Sequence, residues 1–375
     1  MPKKSAAVAC TSPPALKECI DYAKRRREFT EFPSFSLMRR IETFLMIVAL
    51  GFYAWFLRRL GVANVYSYVR LAGWALALTC ALEAIARLAN TLGWRATIRE
   101  YPGGLSFGEL FSARIAGEAV DYVTPSAQLG GQFLMALMVR NKLPMAVGLA
   151  TVIVAALAEG VGQIGYVSGA LLLSMRAVAA LRRLLWPIVG GLAFAALLVV
   201  GFFAIQTRKP FSYLWRAAAK LKLPGVTNRE AHSAATEADA LLADFYVHHR
   251  LRVLVSCLCY FVAWSMGPVE IYILLAALGQ HVSLEVALMV DAVGLLIERA
   301  TFLIPAKLVS QEGGKALILG MLGYPPGVGF AVGFLRRVKE MAWVLLGLAS
   351  WMEHRLREER RPEVRATAER RVAVD

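Results

Sequence analysis

One pattern of charge, proline and paired glycine occurs twice in this chain. It runs from Glu118 through Pro125, Gly130-Gly131 and Pro144 to Glu159, and again from Glu298 through Pro305, Gly313-Gly314 and Pro325 to Glu340. Seven residues separate the first glutamate from the first proline in both copies, and fifteen separate the last proline from the last glutamate. Proline removes a backbone donor and glycine is a poor helix former, so each copy should contain a broken helix. In an apolar chain such breaks are tolerated only where protein or a wet cavity surrounds them. Broken helices in corresponding halves point to a polar site near the bilayer midplane, and through it to a transporter.

The apolar character is plain. Hydrophobic residues make up 58% of the 375 residues, and mean hydropathy is +0.53, against about 45–50% apolar residues in soluble domains. The fold class expected is all-α, a polytopic integral membrane protein. Full spans are drawn at 41–57, 70–93, 144–174, 184–206, 251–278 and 327–352, with two further apolar hairpins at about 107–140 and 284–322. Residues 1–40 read as a basic cytoplasmic arm without the compact form of a cleavable signal, residues 41–352 as the transmembrane domain, and 353–375 as a basic cytoplasmic tail. Within the domain, repeat one covers about 70–174, a cytoplasmic loop 207–250, and repeat two about 251–352.

Most of the net charge of +15 lies outside the spans, where it sets orientation and meets anionic lipid; no nucleic-acid motif accompanies it. Basic residues such as Arg25, Arg26, Arg39, Arg208, Lys209, Arg355 and Arg357 place both termini and the central loop in the cytoplasm of an inner, or plasma, membrane. Six full spans then make one hairpin enter from the cytoplasm and the other from the opposite face, an inverted repeat. Arg176, Arg182 and Arg183 fall on a connection this arrangement places outside. If each hairpin is instead a pair of full spans, the chain crosses ten times with the same sidedness of its ends. Glu109, Arg114, Glu118 and Asp121 weigh against the second arrangement, because each charge costs about 2.5–3.5 kcal/mol at the centre of a lipid-exposed helix. In the loop, residues 230–249 carry Ala234, Ala238, Leu241, Leu242 and Phe245 at helical spacing, which suits either a membrane-surface helix or a solvated connector.

Glu83 and Arg87 are four apart on the second span, the order that neutralises a pair on one helix face. Arg336, Arg337, Lys339 and Glu340 stand mid-way along the last span, and one glutamate cannot neutralise three cations. A lipid phosphate could do so through the arginine forks, with Glu340 orienting them; carboxylates such as Glu298, Glu312 or Glu159 could do so as an internal network. The glycine pairs open helical stretches and could let backbone N–H groups reach an anion, or simply let helices cross closely.

No enzyme is expected. His232, His248, His249, His281 and His354 lie outside the apolar spans without an H-E-x-x-H spacing, and there is neither a G-x-S-x-G elbow nor a phosphate loop. Cys257 and Cys259 point about 200° apart on a helix, which argues against a metal pair. No cofactor and no metal are anticipated.

The segment 116–120, Ala-Gly-Glu-Ala-Val, followed by Thr124-Pro125-Ser126-Ala127-Gln128-Leu129-Gly130-Gly131-Gln132, resembles the "GEA…P…GG" signature of the lysylphosphatidylglycerol synthetase transmembrane, or flippase-like, family. Ile304-Pro305-Ala306 with Gln311-Glu312-Gly313-Gly314, then Leu335-Arg336-Arg337 and Glu340, resembles its second signature. The likeness is nearest to the hopanoid-biosynthesis-associated branch and covers about 41–352. It implies a bacterial inner-membrane protein that moves a polar or hopanoid-type lipid between leaflets. Asp121 stands where members commonly carry Asn, and Gln132 where they carry Glu, so a negative charge has changed place. Only 23 residues, 13 of them charged, follow Met352, so the aminoacyl transfer of the synthetase members is not expected.

The candidate substrate-binding residues are Glu118, Asp121, Gln128, Gly130, Gly131, Glu298, Lys307, Glu312, Gly313, Gly314, Arg336, Arg337 and Glu340. Expected partners are membrane lipids with an anionic headgroup or of hopanoid type. Lipid-biosynthesis enzymes enter through the other reading, a non-transporting scaffold for lipid or hopanoid synthesis.

Overall fold

A computed structural model describes residues 72–98, 104–123, 129–174, 249–300 and 310–372, together with Arg70 and isolated positions between 189 and 240. All of them belong to one compact unit, Met46–Asp375. The arm, the span drawn at 41–57, most of the span drawn at 184–206 and of the central loop, Pro125, Gln128, Pro305 and Lys307 lie outside the described residues.

Among the described residues every regular element is an α-helix. In chain order they are α1 (Trp74–Thr97), α2 (Phe107–Val123), α3 (Leu129–Met138), α4 (Met145–Leu173), α5 (Arg250–Ala277), α6 (Leu284–Ala300), α7 (Ser310–Met321) and α8 (Pro326–Val372). The repeat seen in the sequence is a repeat of elements, with α1 to α4 answered by α5 to α8. Both α2 and α6 have 17 residues, both stop before the first proline of their copy, and both α4 and α8 start beside the second. Stretches 74–97, 147–173 and 250–277 are long and apolar enough to cross a membrane. The first half of α8 is long enough too, but Arg336, Arg337, Lys339 and Glu340 interrupt its apolar character. It also continues past the expected end at 352, so the charged tail prolongs the helix through Val372.

The helices α3 and α7 are short, with 10 and 12 residues. With 10 residues α3 is about 15 Å long at 1.5 Å per residue, half of a hydrocarbon core. The far end of α3 returns to the start of α2, where Lys142 Nζ lies 2.7 Å from Glu109 Oε2 and 3.1 Å from the Gly104 carbonyl. The Ser106 and Glu109 side chains cap that start reciprocally, as S-x-x-E sequences do. At the same end Arg252 of α5 donates to the Ile98 carbonyl after α1, and Thr97 to the Thr151 carbonyl of α4. Arg140 and Asn141 there hold Glu358 of α8. This end carries Arg95, Arg140, Lys142, Arg250 and Arg355 and is the basic end.

The second hairpin enters from the opposite end. The turns around 279 and 323, both with glycine at positive φ, join α5 to α6 and α7 to α8. Their neighbours Leu278, Val282, Leu322 and Tyr324 pack into one apolar cluster with Tyr166, Ala170 and Leu171 near the end of α4. The α2–α3 pair thus dips in from the basic end and the α6–α7 pair from the apolar end, which is the inverted arrangement. The packing obeys the same pseudo-two-fold: α1 crosses α5, its own counterpart, while α8 lies on α2 as α4 lies on α6.

Candidate functional site

A cavity of about 280 Å³ sits at the mid-length of the long helices. Its wall draws on Glu83 and Arg87 of α1, Glu118 and Tyr122 of α2, Glu159 of α4, Trp264 and Glu270 of α5, Asp291 and Glu298 of α6, and Arg336, Glu340 and Trp343 of α8. Charges so placed must be paired or solvated to be tolerated, and here they form a continuous circuit of contacts that begins and ends on α4.

From Glu159, the circuit passes to Arg114 at 2.9 Å and on to Glu118 at 2.6 Å. Glu118 pairs with Arg87, and Arg87 with Glu83 at 2.8 Å, the pairing foreseen from their i, i+4 spacing. Glu83 meets Lys339 at 2.9 Å, Lys339 meets Glu270 at 2.6 Å, and Glu270 lies 3.4 Å from Arg336. Arg336 then donates to Asp291 at 2.7 Å, and Asp291 accepts from the Tyr166 hydroxyl at 2.7 Å, which returns the circuit to α4. Two rings add to it: the Arg87 guanidinium lies over Trp343 at 5.0 Å and Arg114 over Tyr260 at 5.5 Å.

Beside the circuit are two buried pairs. Arg337, 1% exposed, grips both oxygens of Glu312, and Lys315 holds Glu298 at 3.2 Å. Gln311 donates to Glu340 Oε1 at 3.1 Å. The three cations of the last span are therefore matched by Glu83, Glu270, Asp291 and Glu312, carried on other helices, which answers the charge deficit that the span shows alone. Of the two arginines singled out there, Arg336 reaches the cavity and Arg337 is turned from it.

The glycine pairs divide in the same way. Gly131 N–H donates to Asp121 Oδ1 at 2.7 Å, so the anion at the start of α3 is the chain's own carboxylate. A methyl group on Gly131 would also strike the Gly117 carbonyl of α2. Gly130 is partly buried nearby, Gly313 is exposed, and Gly314 packs on Ile297. Glu118, Asp121, Glu298, Arg336 and Glu340 therefore line one cavity, with Glu312 and Arg337 behind it. Gln128 and Lys307 lie outside the described residues.

Glu270, Asp291, Lys315 and Trp264 had no place in the sequence reading. Glu270 and Asp291 each sit singly in an apolar run, and a lone ionisable group inside a span is the signal that could have marked them; Lys315 stands three residues after Glu312. Six buried polar atoms on the wall make no hydrogen bond of good geometry: Glu270 Oε1 and Arg336 Nε, which are engaged in ion pairs, and Arg87 Nε, Tyr122 Oη, Trp264 Nε1 and Glu340 Oε2. Such groups are costly unless something fills the space they face. Among the described residues, no grouping of His, Cys, Asp and Glu could hold a metal ion.

Two inverted hairpins around a charged cavity define the chain as a helical membrane domain of broken-helix type. Residues 43–348 match the family model described as lysylphosphatidylglycerol synthase TM region, and the chain belongs to that family. The family is a membrane domain associated with lipid-related functions. No curated protein and no solved structure matches the chain.

Proposed function

We propose that the protein is a flippase-like transporter carrying a polar lipid headgroup between the leaflets of a bacterial inner membrane, with both termini cytoplasmic. The observation that carries this reading is the cavity, which both repeats line at the mid-length of the crossing helices and whose wall holds buried polar atoms that lack a hydrogen bond of good geometry. A hairpin entering from each end gives two places for the molecule to open in turn, so the headgroup passes by alternating access while the apolar tail stays in lipid. The basic end faces the cytoplasm by the positive-inside rule.

Arg87, Tyr122 and Trp264 offer donors and Glu340 an acceptor. They suit a headgroup that carries anionic or hydroxyl oxygens together with a donor group, as phosphatidylethanolamine, phosphatidylglycerol or a polyhydroxylated hopanoid-type lipid does. A scaffold for lipid-synthesis enzymes has no use for such a cavity.

Reconstitution into vesicles of phosphatidylethanolamine and phosphatidylglycerol with a trace of headgroup-fluorescent phospholipid tests the proposal by chemical quenching of the outer leaflet. The wild type should move the probe faster than empty vesicles. Tyr122→Phe and Trp264→Phe should each slow it about fivefold, one hydrogen bond of about 1 kcal/mol, without lowering thermal stability. Movement no faster than in empty vesicles, for this probe and for a hopanoid analogue, would overturn the reading.

A further inference from the structure

The two repeats share one design, yet their long helices do not pack alike. Helix α4 runs tightly along α5, whereas its counterpart α8 barely touches α1 and lies instead along α2. The cause is visible at two equivalent positions. Eighteen residues after the second proline of each copy stand Gly162 on α4 and Trp343 on α8; twenty-two residues after it stand Tyr166 and Gly347. Size is exchanged at both.

At Gly162 the absence of a side chain lets α5 come so close that an added Cβ would lie 2.9 Å from Phe261 N and 3.0 Å from the Cys257 carbonyl. Trp343, in the equivalent place, faces α1 with its ring under the Arg87 guanidinium and holds the two helices apart. Gly347 in turn admits the Ile115 carbonyl and Ala119 of α2. Its equivalent Tyr166 stands between α4 and α6, bonded to Asp291. The exchanged pairs thus close α4 on α5 and hold α8 off α1.

The α1–α8 seam opens where the cavity is lined by Ala86 and Arg87 on one side and Trp343 and Val344 on the other. It is crossed by side chains that can part, the Lys339–Glu83 ion pair and the Arg87–Trp343 stack. On the outer faces of the same helices Ile85, Leu88, Leu345 and Leu346 are exposed and apolar, the character of a surface in contact with acyl chains. We infer that the seam between α1 and α8, propped by Trp343, is the lateral route by which a phospholipid of the surrounding bilayer brings its headgroup into the cavity. This rests on the transport reading for the headgroup's fate, but not for the presence of lipid in the seam.

The test has two arms in phosphatidylethanolamine and phosphatidylglycerol vesicles. In the first, benzoylphenylalanine replaces Trp343 or, as the control in the closed seam, Tyr260. Irradiation should attach phospholipid at position 343, and only protein at position 260. In the second, on a background with all five cysteines changed to Ser, a short bis-maleimide bridges either Ala86→Cys with Trp343→Cys or Gly165→Cys with Phe261→Cys. Bridging the first pair should reduce movement of the fluorescent phospholipid at least tenfold relative to the same unbridged variant, and bridging the second should leave it within twofold. Absence of lipid at position 343, or transport indifferent to the first bridge, overturns the seam. Lipid captured at 343 together with no phospholipid movement by the wild-type protein would instead overturn the transport reading and leave the seam as a lipid site.

Discussion

Arg336 and Arg337 are neighbours in sequence with opposite surroundings. About 100° of helix rotation separates them, which sends Arg336 toward the cavity, Glu270 and Asp291, and Arg337 into the packed contact of α8 with α7 against Glu312. The two should respond differently to neutralisation. Arg337→Gln strands a carboxylate that is 7% exposed and should lower stability by about 3–5 kcal/mol, as for other broken buried pairs. Replacing both partners by apolar residues, Arg337→Met with Glu312→Leu, should recover most of that loss. Thermal unfolding in detergent checks both, and a stable Arg337→Gln protein would show that water reaches Glu312.

At the scale of elements, the two hairpins depend on close approach of short helices. Gly131 has no room for a side chain, because a Cβ there meets the Gly117 carbonyl and the Asp121 carboxylate. Gly131→Ala should destabilise by about 1–3 kcal/mol, the usual cost of overpacking. Gly314 differs, since a Cβ would lie 3.4 Å from Ile297 Cγ2, an ordinary contact. Gly314→Ala should be neutral or stabilising by up to about 1 kcal/mol, the helix propensity difference between the two residues. Comparison of the two melting curves decides whether the glycine pairs are equivalent; equal losses would mean that the second hairpin is packed as tightly as the first.

For the whole molecule, the inverted arrangement has a topological consequence. The open end of the first hairpin, near Arg140, and the open end of the second, near Tyr324, stand at opposite ends of the bundle. A cysteine placed at Arg140 should react with a membrane-impermeant maleimide only from the cytoplasmic face, and one at Tyr324 only from the other. Labelling of both from a single face would contradict the two-sided access on which alternating exposure of the cavity depends.

How much of this was legible in the chain follows from what each interaction spans. Apolar run length, the proline and glycine breaks and the twice-used spacing are local properties, so the sequence by itself determined the all-α membrane class, the two hairpins and the existence of an internal repeat. It also marked Glu83 with Arg87, because an i, i+4 pair lies on one helix. The partners of Arg336, Arg337 and Lys339 were not legible. Glu83, Glu270, Asp291 and Glu312 lie from 25 to more than 250 residues from the cations they meet, and only packing decides which carboxylate meets which cation. The end of the bundle at which each hairpin opens was likewise decided by contacts, those that return α3 to the start of α2 and α7 to the end of α5. The exchange of Gly162 and Tyr166 for Trp343 and Gly347 was present in the sequence all along. Its meaning came only from the tertiary structure, because a glycine or a tryptophan acquires a consequence from the helix it faces.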